Sequence, residues 1–324
     1  MRILVTGVAG FIGFHTAGAL LQNGHEIRGI DSLNAYYDPR LKQARLEQLS
    51  TQPKFVFAAA DIADAAALSR AAVGHSYDVI LHLAAQAGVR HALADPNAYT
   101  QSNLVGQANV LELARHMKGL AHLVYASSSS VYGNDTVPPF SEDARADRPV
   151  SYYGATKRAG ELMAHSYSEL FGLKATGLRF FTVYGPWGRP DMAYWLFSDA
   201  ILRGNPLQLF ANGRFRRDFT WIGDVVAAVV KLVERPFAPA MGAPHRLYNL
   251  GNNHPADVLT LVRLIEQTAG KKAITEDREA PPGDVVETYA DISRARRDLG
   301  FEPSTTLEQG IPEFVRWFKA FRQS

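Results

Sequence analysis

The chain has 324 residues, 47% of them hydrophobic and 20% charged, which is the composition of a globular protein of about two domains. Its formal net charge of +2 argues against a nucleic-acid or membrane-surface protein, which would carry a basic face. The sequence contains no cysteine, which excludes disulfides, thiolate nucleophiles, iron–sulfur clusters and cysteine-type zinc sites, and we expect no metal site. Met1 leads directly into an apolar run without signal-peptide features, and no apolar stretch approaches ~18 residues, so we expect a cytoplasmic protein.

Short β-branched runs alternate with helical patterns through the first part of the chain. The predicted strands cover Arg2–Thr6, Glu26–Asp31, Phe55–Ala59, Val79–Leu83 and His122–Ala126. The helical patterns between them cover Phe11–Asn23, Pro39–Leu49, Ala63–Ala72 and Pro96–Met117, and one further unit adds a helix over Tyr153–Phe171 and a strand over Ala175–Phe181. Apolar strands that alternate with helices predict a doubly wound, Rossmann-type parallel sheet in an α/β fold.

The regular alternation of strand and helix ends after Gly185, and the predicted segments beyond it do not repeat one strand–helix unit. They cover Pro206–Phe210, Asp224–Glu234, Leu247–Leu250, Val258–Ala269 and Pro312–Phe321. We therefore predict that residues 1–182 form a dinucleotide-binding Rossmann domain and that residues 183–324 form mainly a smaller α/β domain for the substrate. This division allows the chain to cross between the two domains.

A glycine-rich segment follows the first predicted strand and opens the first helix. It reads Thr6-Gly7-Val8-Ala9-Gly10-Phe11-Ile12-Gly13. Gly7 permits a tight turn, Gly10 lets the backbone approach a pyrophosphate, and Gly13 allows close packing of the helix on the strand. The helix N-terminus, at Phe11 and Ile12, offers free N–H groups and a positive dipole end to the phosphates. This segment predicts a dinucleotide site.

Asp31 ends the second predicted strand, where a carboxylate accepts hydrogen bonds from the adenosine ribose and repels a 2′-phosphate. Because Ser32 and Leu33 supply no cation, the sequence favours NAD over NADP. Two later segments fit the same ligand. Asp61-Ile62 follows the third strand, although a helix N-cap explains Asp61 equally well. Leu83-Ala84-Ala85 follows the fourth strand, where small residues let the chain pass close to a cofactor or simply pack tightly.

Tyr153 and Lys157 stand four residues apart, so they share one face of a predicted helix. A phenol of pKa ~10 needs ~4 kcal/mol of extra stabilisation to ionise near pH 7, and an adjacent ammonium together with a positive nicotinamide ring can supply it. Serines 127–130 follow the fifth strand, and hydroxyls at the carboxyl end of a parallel strand face the ligand crevice. With the glycine segment, these residues predict an NAD-dependent acid–base site.

Taken together, these motifs resemble the extended short-chain dehydrogenase/reductase family over essentially the whole chain. Besides the glycine triplet and the Ser/Tyr/Lys set, the resemblance rests on Arg217-Asp218-Phe219-Thr220 and Tyr248-Asn249-Leu250-Gly251. Within that family the sequence most resembles UDP-glucuronate 4-epimerases. The stretches that carry this are DSLNAYYD at 31–38, AAQAGVR at 84–90, FFTVYGPWGRPDM at 180–192 and PGDV at 282–285.

The resemblance implies a UDP-sugar substrate, NAD as a bound and regenerated cofactor, and a homodimer. Tyr153 would take the proton of the sugar C4 hydroxyl, assisted by a hydrogen bond from Ser128, while a C4 hydride passes to NAD and returns to the other face of a 4-keto sugar. Lys157 would lower the pKa of the phenol and hold the nicotinamide ribose. Ser127 and Phe180 are implied as further cofactor contacts.

Substrate contacts are implied at Arg90, Ser128, Ser129, Thr182, Arg189, Arg217 and Asp284. Many relatives that act on neutral sugars carry Asn where this chain has Thr182, and Arg189 follows in the next loop. Because arginine suits bidentate recognition of a carboxylate, the pair favours UDP-glucuronate over neutral sugars. The sequence departs from the family pattern at Pro281, where the family usually has a polar or basic residue. Arg278 is a candidate to make the nucleotide contact in its place.

Three other functions stay open. A UDP-glucuronate decarboxylase shares the 4-keto intermediate, and a UDP-glucose or UDP-N-acetylglucosamine 4-epimerase shares the acid–base groups. A nucleotide-sensing scaffold is the non-enzyme alternative, but such a protein tends to lose the tyrosine–lysine pair. A nucleotide-sugar 4,6-dehydratase is disfavoured because Ser129 and Ser130 occupy the positions of its acid–base carboxylates. We expect no nucleic-acid or membrane partner.

Overall fold

The computed structural model describes residues 1–74, 76–235, 244–279 and 286–323. The chain forms two compact units. Unit 1 consists of Met1–Gly133, Arg145–Phe180 and Val226–Tyr248, and unit 2 consists of Asn134–Ala144, Phe181–Val225 and Asn249–Ser324. The chain therefore passes from one unit to the other more than once.

The helices and strands alternate in the order that the sequence pattern predicts for the first part of the chain. The strands are β1 (Arg2–Thr6), β2 (Glu26–Asp31), β3 (Phe55–Ala59), β4 (Val79–His82), β5 (His122–Ser128), β6 (Ala175–Phe180), β7 (Thr182–Tyr184), β8 (Pro206–Phe210), β9 (Arg216–Arg217), β10 (Phe219–Trp221), β11 (His245–Leu250), β12 (Ala256–Asp257), β13 (Ile274–Arg278) and β14 (Glu287–Thr288). The α-helices are α1 (Phe11–Gln22), α2 (Pro39–Ser50), α3 (Ala65–Ala72), α4 (His91–Ala94), α5 (Pro96–Thr100), α6 (Gly106–His116), α7 (Tyr152–Phe171), α8 (Ala193–Arg203), α9 (Ile222–Glu234), α10 (Val258–Ala269), α11 (Ser293–Leu299) and α12 (Leu307–Gln323). Within the described ranges, no helix is long and apolar enough to cross a bilayer.

Seven strands form the main sheet in the order β11-β6-β5-β4-β1-β2-β3. β1 pairs in parallel with both β2 and β4, and the pairs β2–β3, β4–β5 and β5–β6 are also parallel. The expected doubly wound, Rossmann-type sheet is confirmed. The direction of chain progression reverses between β1 and β4, and ligands bind at the carboxyl ends of the strands beside such a switch point.

One face of the sheet is buried against helices of unit 1. Leu4, Ile80 and Leu123 come from three neighbouring strands and have no exposed surface. They belong to one apolar cluster with Val110 of α6 and Ala164 of α7. Burying a side chain of the size of leucine or isoleucine stabilises a fold by ~1.5–3 kcal/mol, so this cluster fixes α6 and α7 on the sheet.

The segment predicted as one helix over Pro96–Met117 is interrupted in the structure. Helix α5 begins at Pro96, with the Asp95 carboxylate accepting from Ala98 N at 3.1 Å, and a π-helical turn covers Gln101–Val105 before α6. The buried side chain of Asn103 in this turn accepts from Gln86 N at 2.9 Å and donates to the Thr156 hydroxyl of α7 at 3.0 Å. The extra residue of a π turn lets Asn103 satisfy these buried groups, which hydrophobic periodicity does not reveal.

The described residues of unit 2 form three small sheets, in the orders β10-β7, β12-β9-β14 and β13-β8. The fully buried carboxylate of Asp218 joins their connecting segments. It accepts from Asn253 N at 3.1 Å, from Ala290 N at 3.0 Å and from the Thr220 hydroxyl at 3.0 Å, and Asn252 N also donates to it. Burial raises the pKa of Asp218, and these hydrogen bonds from neutral donors oppose that rise.

Candidate active site

The glycine-rich loop between β1 and α1 has room only for hydrogen at its turning points. Gly7 has φ +73°, and a Cβ there would lie 2.5 Å from the Ala84 nitrogen. A Cβ on Gly13 would overlap the Gly7 carbonyl oxygen, so α1 packs directly on the turn. The helix N-cap is Gly10, with no side-chain cap. The first-turn N–H groups, including those of buried Phe11 and half-buried Ile12, are therefore left for a phosphate.

Asp31 lies beside this loop at the end of β2. Its carboxylate accepts from Ala9 N at 3.1 Å and from Leu33 N at 2.9 Å. These hydrogen bonds hold the carboxylate against the glycine-rich loop, which is the place that the ribose of a dinucleotide requires.

The two further cofactor segments have different surroundings. Leu83, Ala84 and Ala85 are half-buried, and Ala84 N donates to the Thr6 hydroxyl at 3.3 Å, so this segment borders the glycine-rich loop. The Asp61 side chain is exposed and accepts from Ala63 N at 2.9 Å, whereas the N-cap of α3 is Asp64. Ile62 packs in the apolar core, and its carbonyl accepts from Asn109 at 2.9 Å. The N-cap alternative for Asp61 is therefore wrong.

The serine segment after β5 and the first turn of α7 are in direct contact. Ser128 Oγ accepts from Ser130 N and donates to Ser130 Oγ, both at 3.2 Å. A Cβ on Gly154 would overlap the Ser130 carbonyl, so only glycine allows α7 to approach so closely. This contact places the first turn of α7, which includes Tyr153, against the serine segment. Ser129 is half-buried within the same segment.

Lys157 is 7% exposed, and its ammonium donates to the Ala126 carbonyl of β5 at 3.0 Å. Burial lowers the pKa of this lysine to about 8, and the charge of Glu161, one helical turn further on, opposes that effect. At pH 7 the ammonium is protonated. It therefore supplies a cation on the face of α7 that carries Tyr153, in surroundings that water screens poorly.

Ser127 contacts a buried ion pair. Its hydroxyl donates to Glu161 at 2.6 Å, and Glu161 also accepts two hydrogen bonds from Arg179 and one from Arg158, each at 2.8 Å. Burial raises the pKa of Glu161, but its donors outweigh burial and the pKa is lowered overall. The Ser127 side chain thus fastens β5 to α7, and its O–H donor is used within the protein.

Tyr153 is half-buried, and its ring meets the edge of the fully buried Tyr99 ring at a centroid distance of 6.0 Å. Phe180 is 8% exposed at the end of β6 and pairs in register with Ser128. Both residues therefore lie at the carboxyl edge of the sheet with the serine segment. Arg90 is exposed at the start of α4, after the loop that follows β4.

The predicted substrate residues of unit 2 lie on its loops and short strands. Arg189 lies in the loop between β7 and α8, and its guanidinium contacts the Asp191 carboxylate and the Met192 sulfur, both at 3.3 Å. Thr182 begins β7, and its backbone N donates to the Asp218 carbonyl at 3.0 Å. The Arg217 guanidinium donates to the carbonyls of Arg216 and Val286 at 3.0 and 3.3 Å.

The loop with the unusual proline is not among the residues that the structure describes. Pro281 and Asp284 lie outside the described residues. Arg278, the candidate substitute, ends β13 and pairs with Glu276 at 3.0 Å. No cluster of three metal-ligating side chains occurs in the described part of the chain.

Sequence reasoning missed two basic side chains near Asp31. Lys42 and Arg45 lie on α2 and are buried, with 6% and 0% of their surface exposed. The prediction that no cation lies beside Asp31 considered only the residues that directly follow Asp31. Helix α2 lies further along the chain but returns to the segment after Asp31. Two basic residues on the buried face of an amphipathic helix are the sequence signal that could have shown them.

The model of the NAD dependent epimerase/dehydratase family matches residues 3–251. The chain belongs to this family. NAD is its cofactor, as predicted, and the resemblance to extended short-chain dehydrogenases/reductases is confirmed.

Three relatives match this chain over nearly its full length and theirs. A probable UDP-glucuronate 4-epimerase of Rhizobium meliloti is 44% identical over 98% of this chain and 97% of its own length. The crystal structure of UDP-glucuronic acid 4-epimerase from Bacillus cereus, in complex with UDP-glucuronic acid and NAD, is 34% identical and matches with a TM-score of 0.90 over 99% of this chain and 100% of its own. UDP-glucose 4-epimerase of Thermotoga maritima is 28% identical, with a TM-score of 0.88 over 99% and 100% of the two chains. The predicted enzyme class, an epimerase, is confirmed.

The depressed pKa of Lys157 predicts a specific pH dependence of stability. The folded-state pKa is about 8 and the ordinary value is 10.5, so between these values the unfolded chain binds more protons. The free energy of unfolding of the wild type should therefore rise over this window relative to that of Lys157→Met. Urea unfolding at several pH values measures this difference, with Met substituted at the exposed Lys174 as the control, which should keep the rise. Parallel profiles for wild type and Lys157→Met would show that Lys157 is not buried as a cation.

Proposed function

We propose that the protein interconverts UDP-glucuronate and UDP-galacturonate by inverting C4 of the sugar through a transient 4-keto intermediate. The observation that carries the choice of substrate is Arg189. This arginine lies in a loop of unit 2 with 24% of its side chain exposed and Asp191 beside it. A planar guanidinium held by a neighbour is suited to a carboxylate, which UDP-glucose lacks. The two relatives named for UDP-glucuronate support the same substrate.

The residues of unit 1 fit NAD. The glycine-rich loop leaves no room for a Cβ at Gly7 or Gly13, as a dinucleotide-binding turn requires. The uncapped start of α1 offers N–H groups to the pyrophosphate, and Asp31 offers a carboxylate to the ribose. When bound, NAD supplies a reversible acceptor for the C4 hydride. Asp31, Ala84 and the first turn of α1 would hold it.

Acid–base chemistry falls to α7 and the serine segment. Tyr153 takes the proton of the C4 hydroxyl, because the Lys157 ammonium on the same helix face stabilises a phenolate. When the sugar binds, the Ser128 O–H turns from Ser130 Oγ to the sugar oxygen and thereby fixes that oxygen next to the phenol. Ser130 N, which donates to Ser128 Oγ, keeps the hydroxyl oriented. When the sugar presents its other face, Tyr153 returns the proton.

The carboxylate of the substrate needs restraint as well as recognition. The 4-keto form of glucuronate is a β-keto acid, which loses CO₂ when the breaking bond aligns with the carbonyl π system. We propose that Arg189 and Thr182 hold the carboxylate away from that alignment. Epimerisation then prevails over decarboxylation. Arg217 and Asp284 remain proposed contacts of the nucleotide part of the substrate, and Arg90 and Ser129 remain proposed contacts of the sugar.

Product analysis tests the proposed reaction. We expect purified protein to convert UDP-glucuronate to UDP-galacturonate without added NAD. Tyr153→Phe should lower the rate by ~10²–10⁴-fold, since the phenol is the proposed base. Chromatography of the nucleotide sugars with NMR of the product measures the conversion, and bound NAD is measured to show that the variant is folded. A decarboxylated UDP-pentose as the main product would establish a decarboxylase. Turnover of UDP-glucose alone would establish an epimerase of neutral sugars.

Arg189→Met tests how the substrate is recognised. A hydrogen bond to a charged group contributes ~1.5–3 kcal/mol, so kcat/KM for UDP-glucuronate should fall about tenfold or more. The efficiency with UDP-glucose should change little, and more UDP-pentose should form. Arg203→Met is the matched control, because Arg203 is exposed on α8 and pairs with Asp199. Equal losses for both sugars in Arg189→Met would assign Arg189 to the nucleotide or to the loop.

A further inference from the structure

The loop that carries Arg189 begins with a strained turn. Gly188 N donates to the Gly185 carbonyl at 3.1 Å, which closes a β-turn over residues 185–188. Trp187 is the third residue of this turn and has φ +61°, in the left-handed region of the backbone. A turn with positive φ at its third residue normally carries glycine or asparagine there, because a Cβ is crowded. A bulky indole at this position therefore needs a compensating interaction.

Aromatic packing on the C-terminal helix supplies that interaction. The Trp187 ring lies 5.2 Å from the Trp317 ring and 5.4 Å from the Phe321 ring, measured between centroids. The rings of Trp317 and Phe321, one turn apart on α12, stack on each other at 5.1 Å. Tilted and offset rings at such distances attract each other beyond the burial of their surface. Helix α12 thus holds the indole at the start of the loop.

The turn is fixed to the core of unit 2 on two sides. On α12, the Trp317 ring lies 5.8 Å from the fully buried ring of Phe314 and 5.6 Å from Trp195 of α8. On the other side, Gly188 packs on α8, because a Cβ there would overlap the Tyr194 hydroxyl. The turn therefore cannot rotate without disturbing one of the two helices.

Arg189 takes its direction from this turn. Only Gly188 separates it from Trp187, and its carbonyl accepts from Met192 N at 3.3 Å, where Met192 is the N-cap of α8. Its guanidinium contacts the Asp191 carboxylate and the Met192 sulfur. The backbone of Arg189 thus lies between an anchor on α12 and an anchor at the start of α8. Release of the first anchor would let the guanidinium move.

We propose that Trp187 is a positioning residue for Arg189, because its packing on Trp317 and Phe321 fixes the direction in which the guanidinium meets the substrate carboxylate. Glycine would suit the backbone at position 187 better, so the indole acts through its ring contacts. The last turns of α12 thereby influence the choice of substrate without touching it. This inference rests on the proposed recognition of UDP-glucuronate by Arg189.

Calorimetric binding of two nucleotide sugars tests this role. Dissociation constants for UDP-glucuronate and UDP-glucose are measured in the Tyr153→Phe background, in which the sugars stay unreacted. Their ratio, the binding selectivity, is compared for the background alone, with Trp187→Gly, with Arg189→Met and with both. Glycine keeps the turn but releases it from α12, so the selectivity should fall toward that of Arg189→Met, about tenfold below the background. Because Trp187 acts through Arg189, adding Trp187→Gly to Arg189→Met should cause no further fall.

Two further variants separate positioning from packing. Trp187→Phe keeps an aromatic ring against α12 and should restore most of the selectivity. Phe318→Leu is the matched control, because Phe318 is fully buried in the same aromatic cluster and lies 4.9 Å from the Trp195 ring. It should lower the temperature of thermal unfolding and leave the selectivity unchanged. If Trp187→Gly does not fold, Phe321→Leu replaces it, since this variant weakens the anchor and leaves residue 187 as it is.

The outcomes distinguish this inference from the proposed function. Unchanged selectivity in Trp187→Gly, with a loss in Arg189→Met, would overturn the positioning role and leave the proposed function intact. Unchanged selectivity in both variants would show that Arg189 does not recognise the carboxylate, and would overturn both. A loss in Phe318→Leu as large as that in Trp187→Gly would assign the effect to general loosening of unit 2 and would also overturn the positioning role.

Discussion

The ammonium of Lys157 is enclosed by protein at the end of β5, and the chemistry that we propose for the site depends on that enclosure. In water, a cation has little influence on a phenol several ångströms away, whereas in a poorly solvated place the same charge acts strongly. The cost of burial appears in the lowered pKa of Lys157, which at about 8 still leaves the side chain protonated at pH 7. A deeper burial would neutralise the lysine, and a shallower one would weaken the effect that we propose for it on Tyr153.

The surrounding side chains explain how the fold maintains this balance. Glu161 raises the pKa of Lys157, and Glu161 is itself held by Arg179, Arg158 and Ser127. A buried ion pair of this kind adds little net stability, but loss of one partner leaves an uncompensated charge. The pair therefore ties β5, β6 and α7 into one arrangement. The Ser151 hydroxyl caps α7 by accepting from Gly154 N at 3.0 Å, which starts the helix where Tyr153 and Lys157 share a face.

The sequence predicts those parts of the fold that follow from local pattern. The glycine-rich turn, the Tyr-x-x-x-Lys spacing and the first six strands of the main sheet depend on residues that are close in the chain. The π turn around Asn103, the hydrogen bond from Ser127 to Glu161 and the hydrogen bond from Arg45 to the Ala9 carbonyl depend on contacts between distant segments. β11 was expected in the second part of the chain, but it lies at the edge of the main sheet, because a short apolar run does not show which sheet it joins.

The central claim is that C4 of the sugar loses and regains the same hydrogen. Tyr153 meanwhile takes and returns the proton of the hydroxyl on C4. UDP-glucuronate with deuterium at C4 tests this claim most directly. After incubation with the protein in ordinary water, NMR of the UDP-galacturonate formed should show deuterium retained at C4 and protium at C5. Loss of the label to solvent, or its replacement by protium at C4, would mean that inversion proceeds by proton exchange with water and would contradict the account.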